Sequence, residues 1–235
     1  KIPVLTHLKA WVNNKYFWWV LVLRTVQGTH MTIIGTSLPY YCKYIFHNDS
    51  WMYSVLYFAE TIVIILGAMV CPVFIKKWGK RNITLAGAVV AIAAQVCLML
   101  NPNNFYYMFA ITLIRSAGVA QLNATVFGML GDVVEYSYWK NGFRQESMIF
   151  GGASLGFKVG SGIASAVITS LMTASGYISS QGADVVQPGS AISMIADIYK
   201  WGPVIIWVVA AIMLVVYKLD REMPQIAEEL ANREK

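Results

Sequence analysis

Charge is scarce in this chain. Of its 235 residues only 13% are Asp, Glu, Lys or Arg, against 57% hydrophobic, whereas a soluble protein carries about 25% charged residues. A globular surface cannot be solvated with so few charges, and the mean hydropathy of +0.54 agrees. Cysteine is sparse as well. Cys42, Cys71 and Cys97 are odd in number and lie in or beside apolar segments, so they read as small packing residues, with neither a disulfide framework nor a zinc site. No HExxH, no GxSxG and no intramembrane carboxylate pair occurs, which leaves an enzyme without machinery: no catalytic residue, metal ligand or cofactor is expected. The chain has no signal peptide and no start methionine before Lys1, and is expected to be the later part of a longer protein.

What is present is a series of apolar runs long enough to cross a bilayer. They predict an all-α membrane protein with six spans, roughly 16–46, 50–75, 82–100, 104–131, 146–174 and 191–217. A connecting arm (1–15) and a charged tail (218–235) flank them. The breaks are HNDS, KKWGKR, NPNN, KNGFR and a long loop through SSQGADVVQPGS. The net charge of +6 does not form a nucleic-acid patch, because the basic residues punctuate the spans. Lys1, Lys9 and Lys15, the KKWGKR and KNGFR breaks, and Lys218, Arg221, Arg233 and Lys235 share one side; Lys43 and Lys200 alone mark the other. The positive-inside rule then puts both termini in the cytoplasm, with the bundle in the plasma (inner) membrane.

A few polar groups fall inside spans, where a charge costs about 2.5–3.5 kcal/mol. Arg24 and His30 lie on the first span, Glu60 on the second, Arg115 on the fourth and Lys158 on the fifth; the third and sixth have no interior charge. This polar, polar, apolar pattern suggests two consecutive three-helix units that insert with inverted topology. Four spans would line a wet path and two would face lipid. Ser154, Lys158, Ser161 and Ser165 share one face of the fifth span, nearly opposite a Gly152, Gly156, Gly160 stripe. The stripe allows close approach of a neighbouring helix and turns the ammonium toward a cavity. Glu60 and Arg115 have equal depth and opposite sign, which predicts an ion pair, either a register-holding joint or part of coupling. Asn123, Thr112 and Ser116 share a polar face on the fourth span; His30, Ser37 and Tyr41 fall near one face of the first. Arg24, about 10 Å from its helix start, is expected to snorkel. KKWGKR (Lys76, Lys77, Gly79, Lys80, Arg81) reads as a positive-inside anchor or as a charged latch for acidic groups at a helix end.

From Asp132 the chain reads GDVVEYSYWKNGFRQES, with Asp132, Glu135, Tyr136, Trp139, Gly142, Arg144 and Glu146 in order. This resembles the loop between helices ten and eleven of the glycoside–pentoside–hexuronide:cation symporters, a branch of the major facilitator superfamily. NNKYFWWVL, TSLPYYCKYIF, KKWGKR and YKLDREMPQIAEEL agree, so the likeness covers nearly the whole chain as the C-terminal half of such a carrier. The resemblance implies a twelve-helix transporter in which a sugar and a coupling cation, Na+ or H+, bind near the midplane of two rocking bundles. It implies that Lys158 matches a cavity lysine of the family's helix eleven, and that a sugar-stacking tryptophan of helix ten falls at Asn123. Substrate contacts are thus expected from Lys158, Ser154, Asn123, Thr112, Ser116, His30 and Tyr41. The family's cation-site acids lie in its N-terminal half, so the cation is expected to be held mainly there. The expected partners are a sugar, the cation, the lipid bilayer, and that missing half or a second copy of the bundle. Two rival readings share these features: a self-contained six-span channel or small carrier working as a dimer, and a non-sugar carrier on the same scaffold.

Overall fold

The computed structural model describes residues 3–48, 50–179 and 185–233. Residues 180–184 of the expected outer loop, and Lys1 and Lys235 of the basic set, lie outside the described residues. Among those described, the elements are α1 (Val4–Val12), α2 (Lys15–Tyr44), α3 (Met52–Trp78), α4 (Lys80–Leu98), α5 (Phe105–Asn141), α6 (Glu146–Ala174), α7 (Gly189–Val216) and α8 (Leu219–Arg233). Five of them, α3 to α7, are long and apolar enough to cross a membrane. At 30 residues α2 has the length, but Lys15, Arg24 and Lys43 make it more polar. Asparagines start two of the long helices: Asn14 accepts from the Phe17 N–H at 3.2 Å, and Asn104 from the Tyr107 N–H at 3.0 Å.

Two segments read as loops are helical. KKWGKR shrinks to one junction residue, Gly79 at φ 80°, with Lys76 and Lys77 closing α3 and Lys80 and Arg81 opening α4. A side chain would be strained at that φ. The acidic segment continues α5, so Asp132, Glu135, Tyr136 and Trp139 are helical. Its charges suggested a break, but Met129, Val133 and Tyr136 keep the helical period and are buried. The helix ends where Gly142 turns left-handed at φ 76° and its N–H reaches the Tyr138 carbonyl at 2.9 Å.

The packing is paired. Helix α2 lies along α6 as α5 lies along α3; α5 packs on α4 as α2 packs on α7; α4 and α7 close the set. Exchanging α2–α4 with α5–α7 maps this set of contacts onto itself, as two structurally repeated three-helix units require. Glycine permits the closest of them. A methyl added at Gly160 would overlap the Thr25 carbonyl, and one at Gly156 would overlap Leu21, so the stripe on α6 seats against α2. Gly87 and Gly118 do the same reciprocally between α4 and α5.

The N-terminal arm, both short junctions and the tail meet at one end. Gln145 donates to the His7 carbonyl at 2.7 Å, and the Arg81 N–H is capped by Asp220 at 2.7 Å. Tyr16 donates to Glu222 at 2.5 Å and the Trp139 indole to Glu229 at 2.6 Å. The acidic side of α8 therefore straps α2, α4 and α5 together. The Trp139 indole N–H, with the Gln225 amide, holds the exposed Glu229 carboxyl below its ordinary value.

Candidate functional site

Arg115 is fully buried, and both terminal nitrogens of its guanidinium have polar partners, whereas Nε has none among the described residues. Its Nη2 donates to Glu60 at 3.2 Å; its Nη1 donates to Gln95 at 2.9 Å and to the Tyr199 hydroxyl at 3.3 Å. Gln95 in turn donates to the Tyr199 carbonyl at 2.8 Å. One ion pair thus ties α3 to α5, and its hydrogen bonds add α4 and α7. Helices α4 and α7, expected to face only lipid, supply Gln95, Tyr199 and Trp207 to the interior. They lack interior charge but not interior polarity, and the neutral Gln95 amid alanines was the signal available in sequence. Truncating one member of such a pair leaves a bare buried charge, worth about 3–5 kcal/mol.

Beside the pair lies a cavity of about 280 Å³ between α2, α3 and α5, floored by Trp207 of α7. This is close to the lower bound of small-molecule sites, about 300 Å³. Its polar lining is Gln27, His30, Tyr57, Glu60, Thr61 and Asn123; Ile34, Ile64 and Leu122 are among its apolar walls. The Trp207 indole donates to His30 Nδ1 at 3.1 Å. Since Nδ1 accepts, the neutral ring carries its N–H on Nε2. Glu60 gives Oε2 to Arg115, leaving its other oxygen without a described partner. Such an arrangement of donors, acceptors and aromatic surface can hold a hydroxyl-rich molecule.

Arg24 does not snorkel. It is 8% exposed, and its guanidinium packs against the Phe127 and Phe157 rings, each centroid 4.9 Å away. Its Nη1 donates to Gln27, Gln27 donates to Asn123, and Asn123 donates to the Val119 carbonyl at 3.4 Å. Sequence reasoning missed Gln27, although it stands three residues from both Arg24 and His30 and so shares their helix face.

The other expected contacts divide three ways. His30 and Asn123 line the cavity. Tyr41, Thr112 and Ser116 do not: all are buried in packing. The Tyr41 hydroxyl is taken by the Pro102 carbonyl at 2.9 Å, and the Ser116 hydroxyl by the Thr112 carbonyl at 2.7 Å. Lys158 and Ser154 lie on the exposed face of α6, turned away from α2, and outside this cavity. The Lys158 ammonium has neither hydrogen bond nor ion pair to a described residue. At the junction end, Lys80 bridges both Asp132 oxygens at 2.6 Å and the Gly128 carbonyl at 3.2 Å. Arg144 reaches Glu135 at 3.2 Å and Glu146 at 3.4 Å. Arg81 instead holds the last carbonyls of α7, Leu214 at 2.7 Å and Val215 at 2.8 Å. Lys76 and Lys77 stay exposed.

Membrane-length helices in two matched units, enclosing a largely apolar cavity with a few polar groups and a buried ion pair, define an integral membrane bundle of the transporter type. The chain belongs to the MFS/sugar transport protein family, whose sequence profile matches residues 1–221. It is 29% identical over 234 residues to the isoprimeverose transporter of Lactiplantibacillus pentosus, covering 99% of this chain and 48% of that protein. A putative sulfoquinovose importer of Salmonella typhimurium is 24% identical over 198 residues (83% and 41%). A glucuronide carrier protein homolog of Escherichia coli is 24% identical over 205 residues (86% and 44%). These relatives are transporters and not enzymes, in keeping with the resemblance read from Asp132 to Glu146. The chain spans about half the length of these relatives.

Proposed function

We propose that this chain forms one six-helix wall of a carrier that couples the movement of a glycoside or sugar acid to Na+ or H+ by alternating access. The observation that carries this reading is the unpaired Lys158 on the exposed polar face of α6. Hydrocarbon rejects a bare ammonium, and α3 and α6 are the least covered of the apolar helices. A second six-helix bundle, or a second copy of this one, is the natural cover, and would place Lys158 at a wet seam beside cargo. The names of the relatives, which mention isoprimeverose, sulfoquinovose and a glucuronide, give the cargo class. The coupling cation is held mainly by the covering bundle.

In this scheme Asn123, His30 and the free Glu60 oxygen bind cargo hydroxyls from the cavity. The Lys80–Asp132 bridge, with Gly79 as its pivot, is the latch that holds the junction end. Positive-inside bias puts that end, with both termini, on the cytoplasmic face of the inner membrane. The test is uptake of labelled glycosides by proteoliposomes containing the intact carrier, under a Na+ or a pH gradient. Lys158→Gln should lower gradient-driven uptake about tenfold or more at matched protein level. Undiminished uptake by that variant would remove Lys158 from the mechanism, and the reading would lose its main support.

A further inference from the structure

Within the spans lie the cations Arg24, Arg115 and Lys158 and the acid Glu60, besides Asp197 and Lys200 on α7, which face each other at 3.8 Å. Glu60 is committed to Arg115. Arg24 is nevertheless more than nine-tenths buried, with no carboxylate in ion-pair range among the described residues. A permanent charge in that position is costly unless an anion meets it.

The guanidinium shows what kind of anion fits. Only Nη1 has a partner, the Gln27 amide oxygen. Nε is buried and unpartnered, and Nη2 makes no hydrogen bond to a described residue. Nε–H and Nη2–H are the two parallel donors of one guanidinium edge. That edge matches the paired oxygens of a carboxylate or sulfonate side by side. Phe127 and Phe157 both pack against the group, with centroids 4.9 Å from Cζ, and restrain where its edge points. Phe127 is 53% exposed, which leaves one side of the clamp open to the outside of the bundle. The hydrogen bonds from Arg24 to Gln27 and from Gln27 to Asn123 connect it to the cavity, because both amides line that cavity.

We infer that Arg24, held by Phe127 and Phe157 and linked through Gln27 and Asn123, is an oxyanion subsite for the carboxylate or sulfonate of an acidic glycoside. This rests on the carrier reading and selects among its cargoes: acidic sugars are preferred over their neutral counterparts, and Arg24 sets the preference.

The test uses the intact carrier and three probes that differ only at C6: methyl β-D-glucoside, methyl β-D-glucuronide and the C6-sulfonate analogue. Equilibrium binding by calorimetry and uptake in proteoliposomes are both read. The wild type should bind the two anions about tenfold or more tighter than the glucoside. Arg24→Gln should weaken anion binding about 30-fold and glucoside binding by no more than about threefold. Arg24→Lys keeps the charge without the two-pronged edge and should retain only part of the preference, and it serves where the glutamine variant does not fold. Equal weakening of all three probes would assign Arg24 to an acid of the covering bundle or to folding, and overturns the subsite. So does a wild type that binds none of them or does not discriminate. Discriminating binding without uptake would defeat the carrier reading while leaving the subsite standing.

Discussion

Two arginines, Arg24 and Arg115, lie well inside membrane-length helices, and the fold treats them in opposite ways. Arg115 has Glu60, Gln95 and Tyr199 around it, on three helices other than its own. Arg24 has two phenylalanine rings and one amide and, among the described residues, no acid. The first arrangement is neutralised within the chain: Glu60 meets the charge and both terminal nitrogens are hydrogen-bonded, so it serves the architecture. The second is preorganised but incomplete. A cation held rigidly by aromatic faces with one edge free has the form of a recognition element, because the missing partner can come from elsewhere.

The comparison breaks most visibly at Glu60. Glu60→Gln should strand the Arg115 charge and cost about 3–5 kcal/mol, read as a lowered unfolding midpoint in detergent. Replacing both partners together, Glu60→Gln with Arg115→Met, should recover much of that loss, since no bare charge remains. If the single variant unfolds like the wild type, the pair is not the joint between α3 and α5.

A sharper version converts the second arginine into the first. Gln27→Glu supplies Arg24 with an acid inside the chain. The glucuronide preference should then fall about tenfold, because the guanidinium is occupied, while the unfolding midpoint holds or rises. A preference that survives Gln27→Glu would place the anion elsewhere.

The smallest effect lies at the α8 strap. Glu229 titrates below its ordinary value in the folded protein because Trp139 and Gln225 hydrogen-bond its charged form. Its stabilising contribution is therefore present above the unfolded carboxyl value, about 4.3, and is lost as pH falls through the lower folded value. Trp139 fluorescence should change across that acid window, and Glu229→Gln should remove the step. An unchanged step in the variant assigns it to another group.

Much of the framework was legible beforehand. The span over 146–174 has the bounds of α6, and the Gly152, Gly156, Gly160 stripe seats on a neighbouring helix. Glu60 and Arg115 could be paired from depth and sign alone, because two helices of known direction put equal depths side by side. The junctions were misjudged for a common reason. Charged residues such as Asp132 and Lys80 signalled loops, but each satisfies the other across two helices, and separation in sequence conceals such a partner. Tyr41, Thr112 and Ser116 were drawn toward cargo by helix-face geometry. A face shared along one helix does not reveal which neighbour covers it, and here backbone carbonyls and packed side chains do.

The sequence by itself determined that this chain crosses a membrane and that a few intramembrane charges need company. Hydropathy, period and charge bias are local properties, and a bilayer turns them directly into topology. Only the tertiary structure decided which charge is neutralised and which is left open. Arg24 is clamped by one ring from α5 and one from α6, about thirty residues apart in sequence. Only helix packing brings two such rings to the same guanidinium, and among the described residues it brings no carboxylate with them.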